Sequence, residues 1–550
     1  MVVFLQTRSN AKLRKRQSRV GLLLAGLVLM LASLACYLEA PTAADPIFIA
    51  PQGVSRRTVV TEIEQPINEA QHPEEAAAAN LPFQPEQTPV LPSNIIPTPS
   101  PIQTPTEIID DSPIMYFSQT GDTLPAIAAR FNVGADEITS LDLDIIPEST
   151  WLEPNQRLII PRRVGNTTPS THIFPDSEVV FSPSAVGFDI HEFTQQAGGY
   201  LSTYREYLGS TGMTSGADVV YRVAIENSIN PRLLLALLEY QSGWVYGQPE
   251  IQSQIDYAMG IPIPRYAGLY HQLSLSVNQL SMGYYGWREG RITEITFRDG
   301  ISSRLAPELN AGSVALQFYF AQRRESLGWY ETLEPSGSFL TLYNDMFGDP
   351  WERAQVVEPL FSHALEQPPL ILPFMLNQRW ALTGGPHGAW DRDGAMAAID
   401  FAPGSVEPGC VKSDAFAVAA AAGLIVRSEN AVVAIDLDGD GHEQTGWVLM
   451  YLHIAQDGRI PAGTWVDVGD PIGHPSCEGG RSTGTHIHIA RKYNGEWVPA
   501  DGPLPFILSG WRVHAGENPY EGIMTRDDEE VVASQLSVGA SHIFRRSTDP

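Results

Sequence analysis

Basic residues are scarce in this chain. Its 550 residues carry 35 Lys and Arg against 63 Asp and Glu, a formal charge of -28. Nucleic-acid binding rests on concentrated cationic side chains, so this balance argues against it and for a soluble, acidic exterior. Cysteine is scarcer still, with Cys36, Cys410 and Cys477 the only three. Internal repeats are absent. The one long apolar run, Val20 to Ala35, is about 16 residues, slightly short of a full membrane span. What the chain does have is length, enough for three or four domains with sizeable cores.

The side chains that carry chemistry concentrate between residues 387 and 488. They are His387, Asp400 inside Ala398-Ile399-Asp400-Phe401-Ala402, His453 at the end of the apolar run Trp447 to Leu452, and His486-Ile487-His488. Imidazole and carboxylate suit Zn²⁺, and a catalytic zinc site takes three protein ligands and leaves one position for water. In Thr485-His486-Ile487-His488-Ile489 the strand period of two turns both histidines to one face. Asp391 and Asp393 are the alternatives to Asp400, but they sit in a polar, turn-like stretch. His363, His442 and His474 have no such company and read as structural.

The order H…D…YLH…HIH, with Gly479-Gly480-Arg481-Ser482-Thr483-Gly484-Thr485 leading into the last pair, resembles the LytM/lysostaphin-type zinc endopeptidases of the M23 family. The resemblance implies zinc held by His387, Asp400 and His488, and hydrolysis of peptide cross-links in peptidoglycan. It places His486 and His453 beside the metal-bound water; His486 is expected as general base and His453 as oxyanion stabiliser or proton relay, with the two roles exchangeable. The family usually has three residues between its first His and Asp, whereas twelve separate His387 from Asp400. The insertion reads as a surface loop, tolerated at modest entropic cost.

At the other end, Arg8, Lys12, Arg14, Lys15, Arg16 and Arg19 precede the apolar run, the form of a secretory signal over residues 1–36. Its ending, Leu31-Ala32-Ser33-Leu34-Ala35-Cys36, resembles the lipobox of bacterial lipoproteins, which implies a lipid on Cys36. An uncleaved signal anchor is the alternative, and either places the chain outside the cytoplasm. With Cys36 lipidated, an even pair remains in an oxidising compartment, so a Cys410–Cys477 disulfide is expected. Residues 37–113 hold fourteen prolines among Thr, Gln, Glu and Ala, a composition that forms an extended tether rather than a core.

Residues 114–163 resemble a LysM domain, a small α+β (βααβ) module that binds N-acetylglucosamine-containing glycans. The resemblance rests on Gly121-Asp122-Thr123-Leu124, a turn and capped helix start, and on the closing Leu158-Ile159-Ile160-Pro161. After a linker over 164–184, residues 185–365 read as mainly α. Asn230 and Pro231 open an apolar helix ending Glu239-Tyr240-Gln241-Ser242-Gly243, which resembles the active-site helix of lysozyme-like transglycosylases. Gln241 stands where that family's catalytic Glu would be. A glutamine amide donates no proton to a glycosidic oxygen, so this domain is expected to have lost glycan cleavage.

Residues 370–515 read as an antiparallel all-β domain of short strands separated by Gly, Pro and Asp, followed by a polar tail over 516–550. Asp436-Leu437-Asp438-Gly439-Asp440-Gly441 echoes a calcium loop, but its twelfth position is Trp447 rather than Glu, so a hairpin turn is expected. A non-catalytic wall-binding regulator and a glycosidase acting through the helical domain stay open as alternatives to the peptidase.

Overall fold

The structure, a computed structural model, describes residues 112–334, 338–390 and 392–549. The expected signal, Cys36, the tether up to residue 111, and Asp391 lie outside these. A three-stranded antiparallel sheet comes first: β1 (Ile114–Phe117), β2 (Thr139–Ser140) and β3 (Arg157–Ile160), in the order β1-β3-β2, with helix α1 (Leu124–Phe131) on it. Thr123 caps α1 by accepting from the Ala126 N–H. Asp122 is buried and takes hydrogen bonds from the Tyr116 hydroxyl and Arg130, both at 2.6 Å. The second helix of the expected βααβ pattern is a single 3₁₀ turn, Ala135–Glu137, with no buried residue. Without an apolar face to dock, a segment so short gains nothing from growing longer.

Among the described residues eight helices of six or more residues follow: α2 (Ile190–Ala197), α3 (Gly216–Asn227), α4 (Pro231–Ser242), α5 (Leu269–Arg288), α6 (Ala311–Ala321), α7 (Ser326–Leu333), α8 (Ser338–Phe347) and α9 (Pro350–Val357). In α4 the Asn230 side chain accepts from the Arg232 N–H, Pro231 fills the first turn, and Gly243 closes the helix in left-handed conformation. Every residue from Leu233 to Leu238 is fully buried, so α4 is the centre of the helical core rather than an amphipathic surface helix. The segment 164–184, expected as a linker, belongs to that core. Phe174, Val179 and Val180 are fully buried there, and Phe174 meets the Tyr343 ring edge-on at 4.9 Å. Three apolar anchors scattered among Pro, Ser and Thr leave no periodic pattern to read.

The last region is built on a nine-stranded sheet. Its main members are β4 (Arg379–His387), β5 (Ala398–Pro403), β6 (Gly423–Glu429), β7 (Val432–Asp436), β8 (Trp447–Leu452), β9 (Trp465–Val466) and β10 (Ile487–Tyr493). They pair antiparallel in the order β9-β6-β7-β8-β10-β5-β4. Both faces are covered, and the two-residue period sorts them. Ile399, Val433, Ile435, Leu449, Tyr451 and Ile489 fill the sheet's own core, while Ala398, Val432, Met450, Leu452 and Ala490 pack with the helical unit. The turn after β10 enters that unit. Ser228 Oγ donates to the Gly495 carbonyl at 2.7 Å, Trp497 N–H donates to the Tyr285 hydroxyl at 3.0 Å, and Asn494 Nδ2 donates to the Leu360 carbonyl at 2.6 Å.

Residues 516–550, expected as a tail, are structured over most of their length. Gly522–Arg526 and Glu529–Val532 extend a second, four-stranded sheet, and His542–Phe544 adds an edge strand to β4. Met524, Val531 and Ile543 anchor these strands in the sheet's core. No helix among the described residues is long and apolar enough to cross a membrane.

Candidate active site

Asp400 and His488 face each other across β5 and β10, on the side of the sheet shared with Ala398 and Ala490. Gly384 of β4 is Asp400's other neighbour. A Cβ there would come within 2.6 Å of Asp400 Oδ2, so the carboxylate occupies space that only glycine leaves. His387 ends β4 and pairs with Ala398, the first residue of β5; of the twelve residues between His387 and Asp400, the last two, Ala398 and Ile399, are therefore strand rather than loop. His453 follows β8 with φ at +66°, a left-handed backbone costing about 1–2 kcal/mol for a non-glycine residue. Tyr520, whose ring lies 4.1 Å from that of His387 at an interplanar angle of 18°, has φ at +72°. Such strain is held in place where the surroundings over-determine it, often at functional sites.

Four backbone carbonyls set the histidine tautomers. His387 Nδ1 lies 2.8 Å from the Gly385 oxygen, His488 Nε2 2.9 Å from that of Ala389, His453 Nδ1 2.7 Å from that of Glu478, and His486 Nδ1 2.8 Å from that of Gly484. A carbonyl only accepts, so each of these nitrogens carries the hydrogen and the opposite ring nitrogen is a bare lone pair. At the centre, His387 Nε2 and His488 Nδ1 stand 3.0 Å apart, and they stand 3.2 and 3.3 Å from Asp400 Oδ1. That oxygen is buried and accepts no hydrogen bond. Three acceptors thus converge with no hydrogen between them, an arrangement that only a cation or an added proton relieves.

The spacing fits a metal. Ligands at 2.0–2.1 Å in a tetrahedral shell lie about 3.3 Å from one another, close to the three distances found, and His387, Asp400 and His488 form a group able to hold an ion. The electrostatics fit as well. Burial pulls the His387 imidazole down, but the Asp400 charge outweighs it and raises the pKa; the proton it invites is the competitor of a metal. Burial alone would raise Asp400, yet His387 and His488 hold it well below the usual carboxylate range. Burial lowers His488. Burial, with His486 adding, pushes His453 down to about 4, so His453 is neutral near pH 7. The His453 and His486 rings lie 4.5 Å apart, and His486 Nε2 is 3.9 Å from Asp400 Oδ1.

All five expected residues, His387, Asp400, His453, His486 and His488, therefore meet in one cleft of ≈ 1280 Å³. Asp393 is exposed and stands outside the group. Cys410 and Cys477 are joined, with their Cα atoms 5.8 Å apart. The bond ties a cleft loop, residues 404–414, to the loop before His486. Thr485 reinforces it, taking the Val411 N–H on its hydroxyl at 2.9 Å. In the helical unit, Glu239 Oε2 accepts from the Val245 and Tyr246 N–H groups at 2.8 and 3.1 Å, so that carboxylate serves as a turn cap. Asp436 likewise accepts from Gly439 and Gly441 N–H groups and shapes the hairpin. Tyr520 and the four tautomer-setting carbonyls carry no signal in the sequence. Tyr520 lies in the supposed tail, and backbone oxygens have no residue signature.

Two family models match the chain, a LysM domain over residues 119–161 and the N-terminal domain of LasA over residues 172–360. The second begins inside the segment expected as a linker, where Phe174 is buried. The chain is thus a LysM-bearing relative of a bacterial protease, with a mainly α unit and an antiparallel sheet domain behind the LysM module. The relatives in question are protease LasA from two strains of Pseudomonas aeruginosa, 27% identical over 342 residues and 26% identical over 344. Each match covers 59% of this chain and 75% of the relative. Among solved structures, the M23 metalloprotease pseudoalterin from the deep sea is 22% identical, covering 31% of this chain and 96% of that one, with a TM-score of 0.26. A zinc-containing peptidase from Vibrio cholerae is 17% identical over 24% of this chain and 41% of that one, with a TM-score of 0.16.

Proposed function

We propose that the protein is a zinc metalloendopeptidase of the M23 type that cuts peptide cross-links of peptidoglycan, with its LysM module holding N-acetylglucosamine-containing glycan. The observation that carries this reading is the buried corner where His387 Nε2, His488 Nδ1 and Asp400 Oδ1 converge with no hydrogen among them. These three atoms would hold the ion. Zinc bound there supplies Lewis acidity, which polarises a carbonyl and lowers the pKa of water from 15.7 to about 7.

The remaining steps belong to the chain. His486 and His453 both present a bare Nε2, because their Nδ1 hydrogens go to Gly484 and Glu478. Either can take a proton from the attacking water and return it to the leaving amine. His453 enters as an acceptor because burial keeps it neutral, and once protonated it becomes a donor. The proposal extends to Cys36 and the Pro-rich stretch after it, which would anchor the enzyme outside the cytoplasm by lipid or signal segment and give it reach.

The test is digestion of purified peptidoglycan with mass analysis of the fragments. New amino termini, lost with a chelator and restored by zinc, are expected. New reducing sugar ends, or chelator-resistant digestion, would defeat the reading. His486→Ala should keep stoichiometric zinc and lose turnover, whereas His488→Ala should lose both.

A further inference from the structure

Beside the His–Asp corner lies a second cavity, of ≈ 680 Å³, with walls from all three modules. Gly121, Glu148 and Trp151 come from the LysM module, Glu289 and Arg291 from the end of α5, and Met396, Leu504 and Arg512 from the sheet domain. Its size falls in the range of small-molecule sites, about 300–1,000 Å³.

One side chain, Arg288, reaches all three walls. Arg288 donates Nη1 to the Thr120 carbonyl of the LysM module and Nη2 to Asp176 Oδ2 of the helical unit at 2.9 Å, and its Nε lies 3.1 Å from Glu496 Oε1 of the sheet domain. Gly121 sits so close that a Cβ would strike the Arg288 guanidinium and the Phe361 ring. Trp151 packs on Phe361 at 4.6 Å between ring centres. A cavity braced in this way is preformed, so a ligand entering it spends little on ordering.

The lining selects a chemistry. Trp151, Met396 and Leu504 give it an apolar floor. Glu289 keeps Oε1 without a hydrogen-bond partner while Oε2 accepts from Arg291 at 2.5 Å. Arg512 is exposed and has no hydrogen-bond or ion-pair partner among the described residues. Five carboxylates, on Glu148, Glu289, Glu496, Asp501 and Glu517, against three guanidinium groups, on Arg288, Arg291 and Arg512, repel a polyanion. So much charge equally disfavours an acyl chain. A neutral ring with one apolar face and many hydroxyls, which both donate and accept, satisfies both kinds of lining.

We infer that this junction cavity is a composite saccharide site, in which the helical unit and the sheet domain complete a glycan groove begun by the LysM module. The inference rests on the wall-peptidase reading for its substrate class and extends it to residues outside the LysM module. Position supports it. Pro386 lines the cavity and His387 the cleft, and Pro519 and Tyr520 divide in the same way, so one thickness of chain separates bound sugar from the His–Asp corner. A glycan seated here would present its attached peptide next to the site that cuts it.

The test uses the full-length protein and the N-acetylglucosamine tetramer, which contains no stem peptide and reads binding whether or not the enzyme hydrolyses peptides. Hydroxyl-radical footprinting should show Trp151 and Met396 protected together by the tetramer. In calorimetry Arg512→Ala should weaken binding about tenfold, the loss expected of one charged hydrogen bond. Absence of binding, protection of Trp151 alone, or unchanged affinity in Arg512→Ala would overturn the composite site. Loss of metal-dependent hydrolysis with tetramer binding intact would instead count only against the peptidase.

Discussion

The sheet domain buries two carboxylates with opposite fates. Glu443 accepts from Arg427 Nε at 2.6 Å and Nη2 at 3.1 Å and from Lys492 Nζ at 3.0 Å. Asp400, beside the same strand β10, has an oxygen facing two bare imidazole nitrogens and no donor. Unpaired buried polar groups cost about 1–3 kcal/mol each. The first cluster is closed and holds the fold together. The second leaves an oxygen without a hydrogen-bond partner, and that difference separates a structural ion network from a group able to hold an ion.

Four measurements would break or sharpen this contrast. His488→Ala should have the largest effect, removing bound metal and lowering peptide hydrolysis on the order of a thousandfold, since several kcal/mol of transition-state stabilisation go with the metal. Metal analysis and a peptide assay read it together, and hydrolysis without metal would end the contrast. Glu443→Gln strands two buried cations and should cost about 3–5 kcal/mol in urea unfolding, with metal content unchanged.

Next comes pH. Burial would raise the Glu443 carboxyl, but Arg427 and Lys492 hold it at about 2. Between that value and the ordinary 4.5 the unfolded chain binds the extra proton. The contribution, about 3 kcal/mol, is therefore complete above pH 4.5 and is lost as the pH falls to about 2. Acid unfolding of Glu443→Gln should lack that component. The smallest effect is expected of Asp400→Asn. An amide N–H aimed at the bare nitrogens should stabilise the chelated protein at pH 8 by about 1 kcal/mol while abolishing metal binding. Destabilisation would show that the Asp400 oxygen was already satisfied.

What the sequence revealed was local or strictly periodic. Thr123, Asn230, Pro231 and Gly243 announce helix ends because caps act within a turn. His486-Ile487-His488 announces a shared face because strand period is fixed. The candidate ligands were legible from the order H…D…YLH…HIH, and His453 from its place at the end of the apolar run Trp447 to Leu452. The rest depended on distant chain. Phe174 and Ile543 are anchors without a pattern around them, so a linker and a tail were expected where core and strand occur. Tyr520 reaches His387 only through the fold. The tautomers of all four histidines depend on backbone oxygens at Gly385, Ala389, Glu478 and Gly484, which no side-chain alphabet encodes.

The turn after β10 has a consequence for how such proteins diversify. The rod that bears His488 at one end is bolted at its other end to the helices through Asn494, Gly495 and Trp497. Recombination that swapped the helical unit for a foreign one would strip those bolts. Exchange of parts along this lineage is therefore expected to move the helices and the sheet as one cassette.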